Sequence, residues 1–214
     1  MRITSRDQIA SLVGLRCAPE RVRDLRARIA ESGLLLRGHF QLPSASHSEY
    51  FLRVRGLAGR EGLIDAFAGE LWTLAAAHRA TAVLCPESAG FAIGEAIARL
   101  AGLELAVVKT DLRGRPSSSL RLGALEGRVD VLLVDDVSGA GSSLRRLHRA
   151  AASHGASARA ALVLATAGAG PLQTMNDLEI AGTWLIEGRW PLFASADCAL
   201  CKRGVPLISV AELG

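Results

Sequence analysis

Lysine is almost missing from this chain. Its basic residues are arginines apart from Lys109 and Lys202, and they are scattered through the sequence. A net charge of +4 spread in that way gives no basic stripe, and no DNA-binding motif accompanies it, so a small anionic ligand is expected and nucleic acid is not. Long apolar runs are lacking too. Arg, Glu, Asp or Gly interrupts every stretch short of the roughly 20 residues that a membrane span needs, and MRITSRDQIA at the start has no apolar core of a signal peptide. Cysteines are few: Cys17, Cys85, Cys198 and Cys201 are too sparse and uneven for a secreted disulfide scaffold. The cytoplasm is the expected compartment. Internal repeats and low-complexity linkers are absent as well, although Ala-rich segments are biased in composition.

What is present is a chain of 214 residues, half of them apolar, enough for one substantial domain with a real core. PERVRDLRARIAES (Pro19–Ser32) carries Val22, Leu25 and Ile29 at helical spacing, with Pro at its start and Gly33 just past its end. A second helix is expected over 61–78. Then the pattern alternates: strand 81–85, helix 91–100, strand 103–108, strand 131–134, helix Ser142–Ser153, strand 160–165. Strands that read as continuous apolar runs between helices belong to a parallel sheet covered on both faces. The expected fold is therefore α/β, a doubly wound and mostly parallel sheet in one domain, with an N-terminal hood segment (18–60), a core (61–170) and an irregular C-terminal tail (171–214). Ligands of such sheets bind at the carboxyl ends of the strands.

One stretch stands at such an end. VDVLLVDDVSGAGSSL drives Val131, Leu132, Leu133 and Val134 into a core and stops them on Asp135 and Asp136. Ser138, Gly139, Ala140, Gly141, Ser142 and Ser143 then lead into a helix, so backbone N–H groups and hydroxyls can converge on one phosphate at a helix N-terminus. The acids suit sugar hydroxyls, a magnesium ion or a developing cation. A Walker loop is excluded because neither lysine sits in its pattern, and the glycines do not match a dinucleotide fingerprint. The plainer reading is a buried strand whose acids cap the next turn. Four apolar residues, two acids and a small hydroxyl-rich loop instead resemble the phosphoribosyl diphosphate (PRPP) motif.

With that motif, other segments resemble the type I phosphoribosyltransferases, and within them the orotate phosphoribosyltransferases. GHFQLPSASHSEYFLRVRG (38–56) is similar to their N-terminal segment, and PESAGFAIGEAIARLAGLELAVVKT (86–110) to their pyrophosphate-side loop, the helix after it and the strand leading to a basic loop. The resemblance covers about residues 20 to 170 in order. It implies displacement of pyrophosphate from magnesium-bound PRPP by a ring nitrogen of a base, in a homodimer. Asp135 and Asp136 would hold the ribose hydroxyls and stabilise the sugar cation, and Ser138 to Ser143 would cradle the 5-phosphate. Glu87 and Ser88 would line the PRPP site, and Lys109, Arg113 and Arg115 would neutralise the diphosphate; without the motif, KTDLRGRPSSSLR reads as a solvated turn. Where the orotate enzymes usually have a lysine this chain has Pro43, where they have an orotate-holding Asp-Arg pair it has Thr166 and Ala167, and Gly139 replaces a common threonine. The basic loop also lacks a usual histidine and second lysine.

DCALCKRG brings Cys198 and Cys201 into a C-x-x-C, which can ligate structural zinc only with further ligands. Cys17, or a histidine such as His39 or His47, can supply them by folding close or across a dimer; two buried or unpaired cysteines are the alternative. The five histidines share no spacing and receive no function from sequence. Trp184 and Trp190 read as core or interface aromatics. Two further functional readings compete with the transferase: a PRPP-binding regulator without turnover, and an enzyme running a related displacement with water or phosphate.

Overall fold

The apolar runs do become strands, and they lie side by side. The computed structural model describes residues 1–42, 44–57, 59–75, 77–88, 90–111, 115–125 and 129–213. In chain order the elements are α1 (Arg6–Leu12), β1 (Val13–Leu15), α2 (Pro19–Ser32), β2 (Leu35–Gln41), β3 (His47–Leu52), α3 (Glu61–Ala75), β4 (Ala82–Pro86), α4 (Gly90–Ala101), β5 (Glu104–Thr110), β6 (Pro116–Leu122), β7 (Asp130–Ser138), α5 (Ser142–Ser153), β8 (Ser157–Ala167), α6 (Gly170–Asp177), β9 (Ala181–Gly188), β10 (Leu192–Phe193), α7 (Ala199–Lys202) and β11 (Ile208–Ser209).

These elements form two units, Leu57–Leu185 and the two chain ends Met1–Gly56 with Ile186–Gly214. In the first, strand order runs β9-β8-β7-β4-β5-β6. β8, β7, β4 and β5 are parallel, through pairs such as Leu84↔Leu133 and Leu133↔Ala161, and β6 folds back antiparallel on β5. Successive strand residues point to opposite faces. Leu84, Val131, Leu133 and Val163 therefore share a face, and they pack with Leu144, Leu147, Ala150 and Ala151 of α5 in one buried cluster. Val83 and Leu132, also fully buried, point the other way, where α4 lies on β4 and β7 and α3 lies on α4. Helices on both faces make the sheet doubly wound, as the continuous apolar runs require.

The second unit is built from both ends of the chain. A four-stranded sheet runs β10-β3-β2-β11, with β11 parallel to β2 and the other pairs antiparallel. β1 pairs antiparallel with the last residues of β9, Ile186 to Gly188.

The core elements lie close to their sequence-based positions. Two differences bear on function. β7 does not stop at Val134: it runs to Ser138, because Asp135, Val137 and Ser138 keep their ladder with Val163, Ala165 and Thr166 of β8, so the acids are strand residues. And residues 171–214, expected to be irregular, contain most of α6 and the strands β9 to β11. Among the described residues no helix is long and apolar enough to cross a membrane.

Leu133 is fully buried between β4 and β8, so Leu133→Ala should cost about 2–5 kcal/mol in urea denaturation, and a loss below about 1 kcal/mol would contradict a sheet covered on both faces.

Candidate active site

β7 carries Asp135 out of the apolar sheet, yet its side chain stays buried, 3% exposed. Oδ1 accepts the Asp136 N–H at 3.0 Å; Oδ2 makes no hydrogen bond of good geometry, although the Ser143 hydroxyl and the Asp136 carboxyl both lie near enough to the Asp135 carboxyl to influence it. The entry to α4 closes in beside it: a Cβ placed on Gly90 would lie 2.9 Å from the Pro86 ring and 3.3 Å from Asp135 Oδ1, so only glycine lets the helix start this close. Burial first, and then the negative charge of Asp136, holds the Asp135 carboxyl well above the usual carboxylate range. Cys85, buried on the neighbouring β4, is pushed up to about 12 by burial and by the Asp135 charge. That thiol is therefore a core residue and no nucleophile.

The loop after β7 is shaped from behind. Gly141 caps α5 in a left-handed conformation at φ 73°. A Cβ there would lie 1.9 Å from Thr174 Oγ1 of α6, so no side chain fits and the backbone stays bare. No side chain caps α5, which leaves the N–H groups of its first turn for a ligand. Ser138 is buried and its Oγ has no partner, and Thr174, fully buried, has a partnerless Oγ1. Buried polar atoms are nearly always paired. Asp135 Oδ2, Ser138 Oγ and Thr174 Oγ1 break that rule together, on the end of β7 and on the helix that leans against its loop. Thr174 has no signal in the sequence; only the packing of α6 on Gly141 exposes it.

The structure thus brings Asp135, Asp136 and Ser138 to Ser143 into one continuous strand, loop and helix start. The remaining sequence-predicted residues are placed as follows. Lys109 is exposed near the end of β5. Arg115 is engaged with Asp111: its N–H donates to Oδ1 at 3.0 Å and its Nε to Oδ2 at 2.6 Å. Arg113, like Pro43, lies outside the described residues. Glu87 ties β4 to its neighbours, accepting the Thr110 N–H at 2.8 Å and pairing with Arg121 at 3.2 Å, while the Ser88 carbonyl accepts the Phe91 N–H at the start of α4. Thr166 and Ala167 are buried at the end of β8, Thr166 opposite Ser138, and neither carries charge. In the unit built from the chain ends, Cys198 and Cys201 lie with His39 and His47 in one tight group; Cys17 does not belong to it.

Residues 63–181 match the family model described as a phosphoribosyl transferase domain. The chain belongs to that family. Among curated phosphoribosyltransferases, the orotate phosphoribosyltransferase of Pelotomaculum thermopropionicum is 26% identical over 186 residues, covering 86% of this chain and 94% of that protein. The fold is shared with orotate phosphoribosyltransferase from Aeropyrum pernix, with TM-score 0.63 and 22% identity over 75% of this chain and 89% of that one. It is shared also with Leishmania donovani UMP synthase, at TM-score 0.65 and 18% identity over 72% of this chain; the match spans 33% of that longer protein. The matched segment contains β4, α4, β5, β7 and α5, so the acids and the bare loop lie inside the part of the chain that matches the family domain.

Two outcomes are expected of this geometry. A buried acid whose folded pKa is raised keeps a proton that the unfolded chain has released, so its contribution to stability falls as pH climbs through the range between the two values. Asp135→Asn removes that penalty: it should raise the melting temperature at neutral pH by about 2–4 °C, roughly 1 kcal/mol, with a gain that shrinks toward about pH 4, as followed by circular dichroism across pH. Gly141→Ala should do the reverse, costing about 1–3 kcal/mol through its left-handed backbone and the collision with Thr174, measured by the same melts.

Proposed function

We propose that this enzyme displaces pyrophosphate from PRPP by a ring nitrogen of a base, with the site at the carboxyl end of β7. The observation that carries the reading is the pair Asp135–Asp136 followed directly by a bare loop and an uncapped helix start, with Ser138 Oγ and Asp135 Oδ2 unpaired. N–H groups of Gly139 to Ser143 and the Ser138, Ser142 and Ser143 hydroxyls hold the 5-phosphate. The two carboxylates accept hydrogen bonds from the ribose hydroxyls and sit where positive charge grows on the sugar as the bond to diphosphate lengthens. Asp135 must be ionised to do this, and donors brought by the sugar offset the burial that now favours its protonated form. Lys109 and Arg115 neutralise the leaving diphosphate, Arg115 after release from Asp111, and Arg113 is assigned the same role by its charge. Glu87 and Ser88 complete the PRPP side through the loop that opens α4.

Two adjacent carboxylates, one with a buried unpaired oxygen, are a donor set suited to magnesium. When bound with PRPP, magnesium neutralises charge on the diphosphate. The working enzyme is proposed to be a homodimer.

Orotate is the first base to test, because the curated relatives carry that name. A second reading has its own observation: Thr166 and Ala167 put no cation at the end of β8, and a carboxylated base buried without a cationic partner is poorly held. That favours a base without a carboxylate.

The enzyme incubated with PRPP, magnesium and single bases, orotate beside uncharged pyrimidines and purines, should release pyrophosphate only when its base is present and form the matching nucleotide. Faster turnover with orotate than with any uncharged base would remove the second reading. Saturable PRPP binding with no base-dependent release would overturn the transferase in favour of a regulator.

A further inference from the structure

A second group of reactive side chains lies in the unit built from the chain ends, and the proposed transfer assigns it no role. His39 Nε2 lies 3.1 Å from His47 Nδ1, 3.5 Å from Cys198 Sγ and 3.6 Å from Cys201 Sγ, and Cys201 Sγ lies 3.2 Å from His47 Nδ1. All four ligand atoms fall within 4.8 Å of one another. A tetrahedral zinc with Zn–N about 2.05 Å and Zn–S about 2.3 Å sets N···N at about 3.3 Å and N···S at about 3.6 Å. The four separations above lie within about 0.4 Å of those edges.

Hydrogen bonding alone does not account for the arrangement. His39 Nδ1 lies 2.8 Å from the Val205 carbonyl oxygen, which fixes the neutral ring as a donor at Nδ1 and leaves Nε2 a lone pair. That single lone pair faces a histidine nitrogen and two sulfurs, and it cannot accept three hydrogens. The group is also dry: His39 and His47 are 1% and 2% exposed and Cys198 is fully buried, with Cys201 at the open edge. Four lone pairs converging on one buried point, with a carbonyl orienting one imidazole from behind, are the donor arrangement of a metal centre.

The fold builds the group from distant parts of the chain. A register shift between Arg37 and Phe40 breaks the alternation of β2, so His39 and Phe40 are both buried. β10 pairs with β3, Phe193 opposite His47, and β11 pairs with β2 on the other edge of the sheet. Between them the chain crosses from one edge to the other, and Cys198 and Cys201 lie on that crossing, around the start of α7.

We propose that His39, His47, Cys198 and Cys201 bind one zinc ion in a closed Cys2His2 site that fastens the C-terminal segment to the β2–β3 hairpin. Thiolates and imidazoles select zinc over magnesium or calcium, which take oxygen ligands. Four protein ligands leave no open position, so the ion is structural. Both cysteines lose their protons on binding, and the two negative charges balance the ion.

The test is metal analysis of the unaltered chain purified under reducing conditions with zinc supplied. About one zinc per chain is expected, and cobalt exchanged into the site should give tetrahedral ligand-field bands with thiolate charge transfer. Chelation should lower the melting temperature, and zinc but not magnesium should restore it. Cys201→Ser, at the exposed edge, should retain less than about a tenth of the zinc. Zinc below about 0.2 per chain, a Cys198–Cys201 disulfide in the reduced preparation, or a Cys201→Ser chain that holds zinc as well as the original would each overturn the site. Stoichiometry and cobalt spectrum are read on the original chain, so they decide for or against the site even where a variant fails to fold, and neither depends on transferase activity.

Discussion

A carboxylate held out of water at the end of a buried strand is the constraint on which the rest of this molecule turns. Asp135 is in the ladder between β7 and β8, so it cannot swing out to solvent without breaking sheet pairing. Its burial disfavours charge, and the adjacent Asp136 disfavours it further. A chain selected for stability alone has no reason to keep an acid there, and the small residues around it make sense only with it. Gly90 brings α4 to the carboxylate, Gly141 keeps the following loop bare against Thr174, and the start of α5 is left uncapped. Asp135 Oδ2, Ser138 Oγ and the N–H groups at the start of α5 are left without partners in the protein, and the proposed sugar phosphate would supply them.

The apolar sheet provides the rigidity that such a site needs. β4 and β7 are covered by α5 on one face and α4 on the other, and the apolar runs Ala82 to Cys85 and Val131 to Val134 are fully buried. Catalytic groups mounted at the end of a strand inherit its precision. The unit made from the chain ends has less to draw on: β10 and β11 have two residues each, too few to hold the C-terminal segment by ladder bonds alone. The Cys–His group falls where that segment crosses the β2–β3 sheet, and a metal there would supply the missing restraint.

Much of the core was legible from sequence because its signals are local. Apolar runs of four to six residues between helical patterns located β4, β5, β7 and β8, and the Ser142–Ser153 helix has the same bounds in the structure. Asp135 and Asp136 could be read because ending a buried run on two adjacent acids is costly unless something binds them. The extension of β7 through Ser138 could not, since polar residues in a strand are held by partners on β8 and leave no periodicity. Thr174 was hidden for the same reason, since it acquires meaning only when α6 meets Gly141. The sequence names His39 and His47 beside Cys17 as possible partners of the two cysteines, but the register shift in β2 that turns His39 inward leaves no mark in it. Pairing Cys198 and Cys201 with two histidines more than 150 positions earlier is likewise a product of topology. The missing cation at β8 was visible as Thr166 and Ala167, and the structure adds that both are buried beside the loop.

The central claim is that Asp135 and Asp136 act on the sugar while the following loop holds its phosphate. The most direct test is kcat/KM for base-dependent pyrophosphate release by a chain carrying Asp135→Asn and Asp136→Asn together, with folding checked by circular dichroism. A fall of about a hundredfold or more in a folded, undiminished protein is predicted. Activity within about twofold of the original would contradict the assignment and move the reaction elsewhere in the molecule.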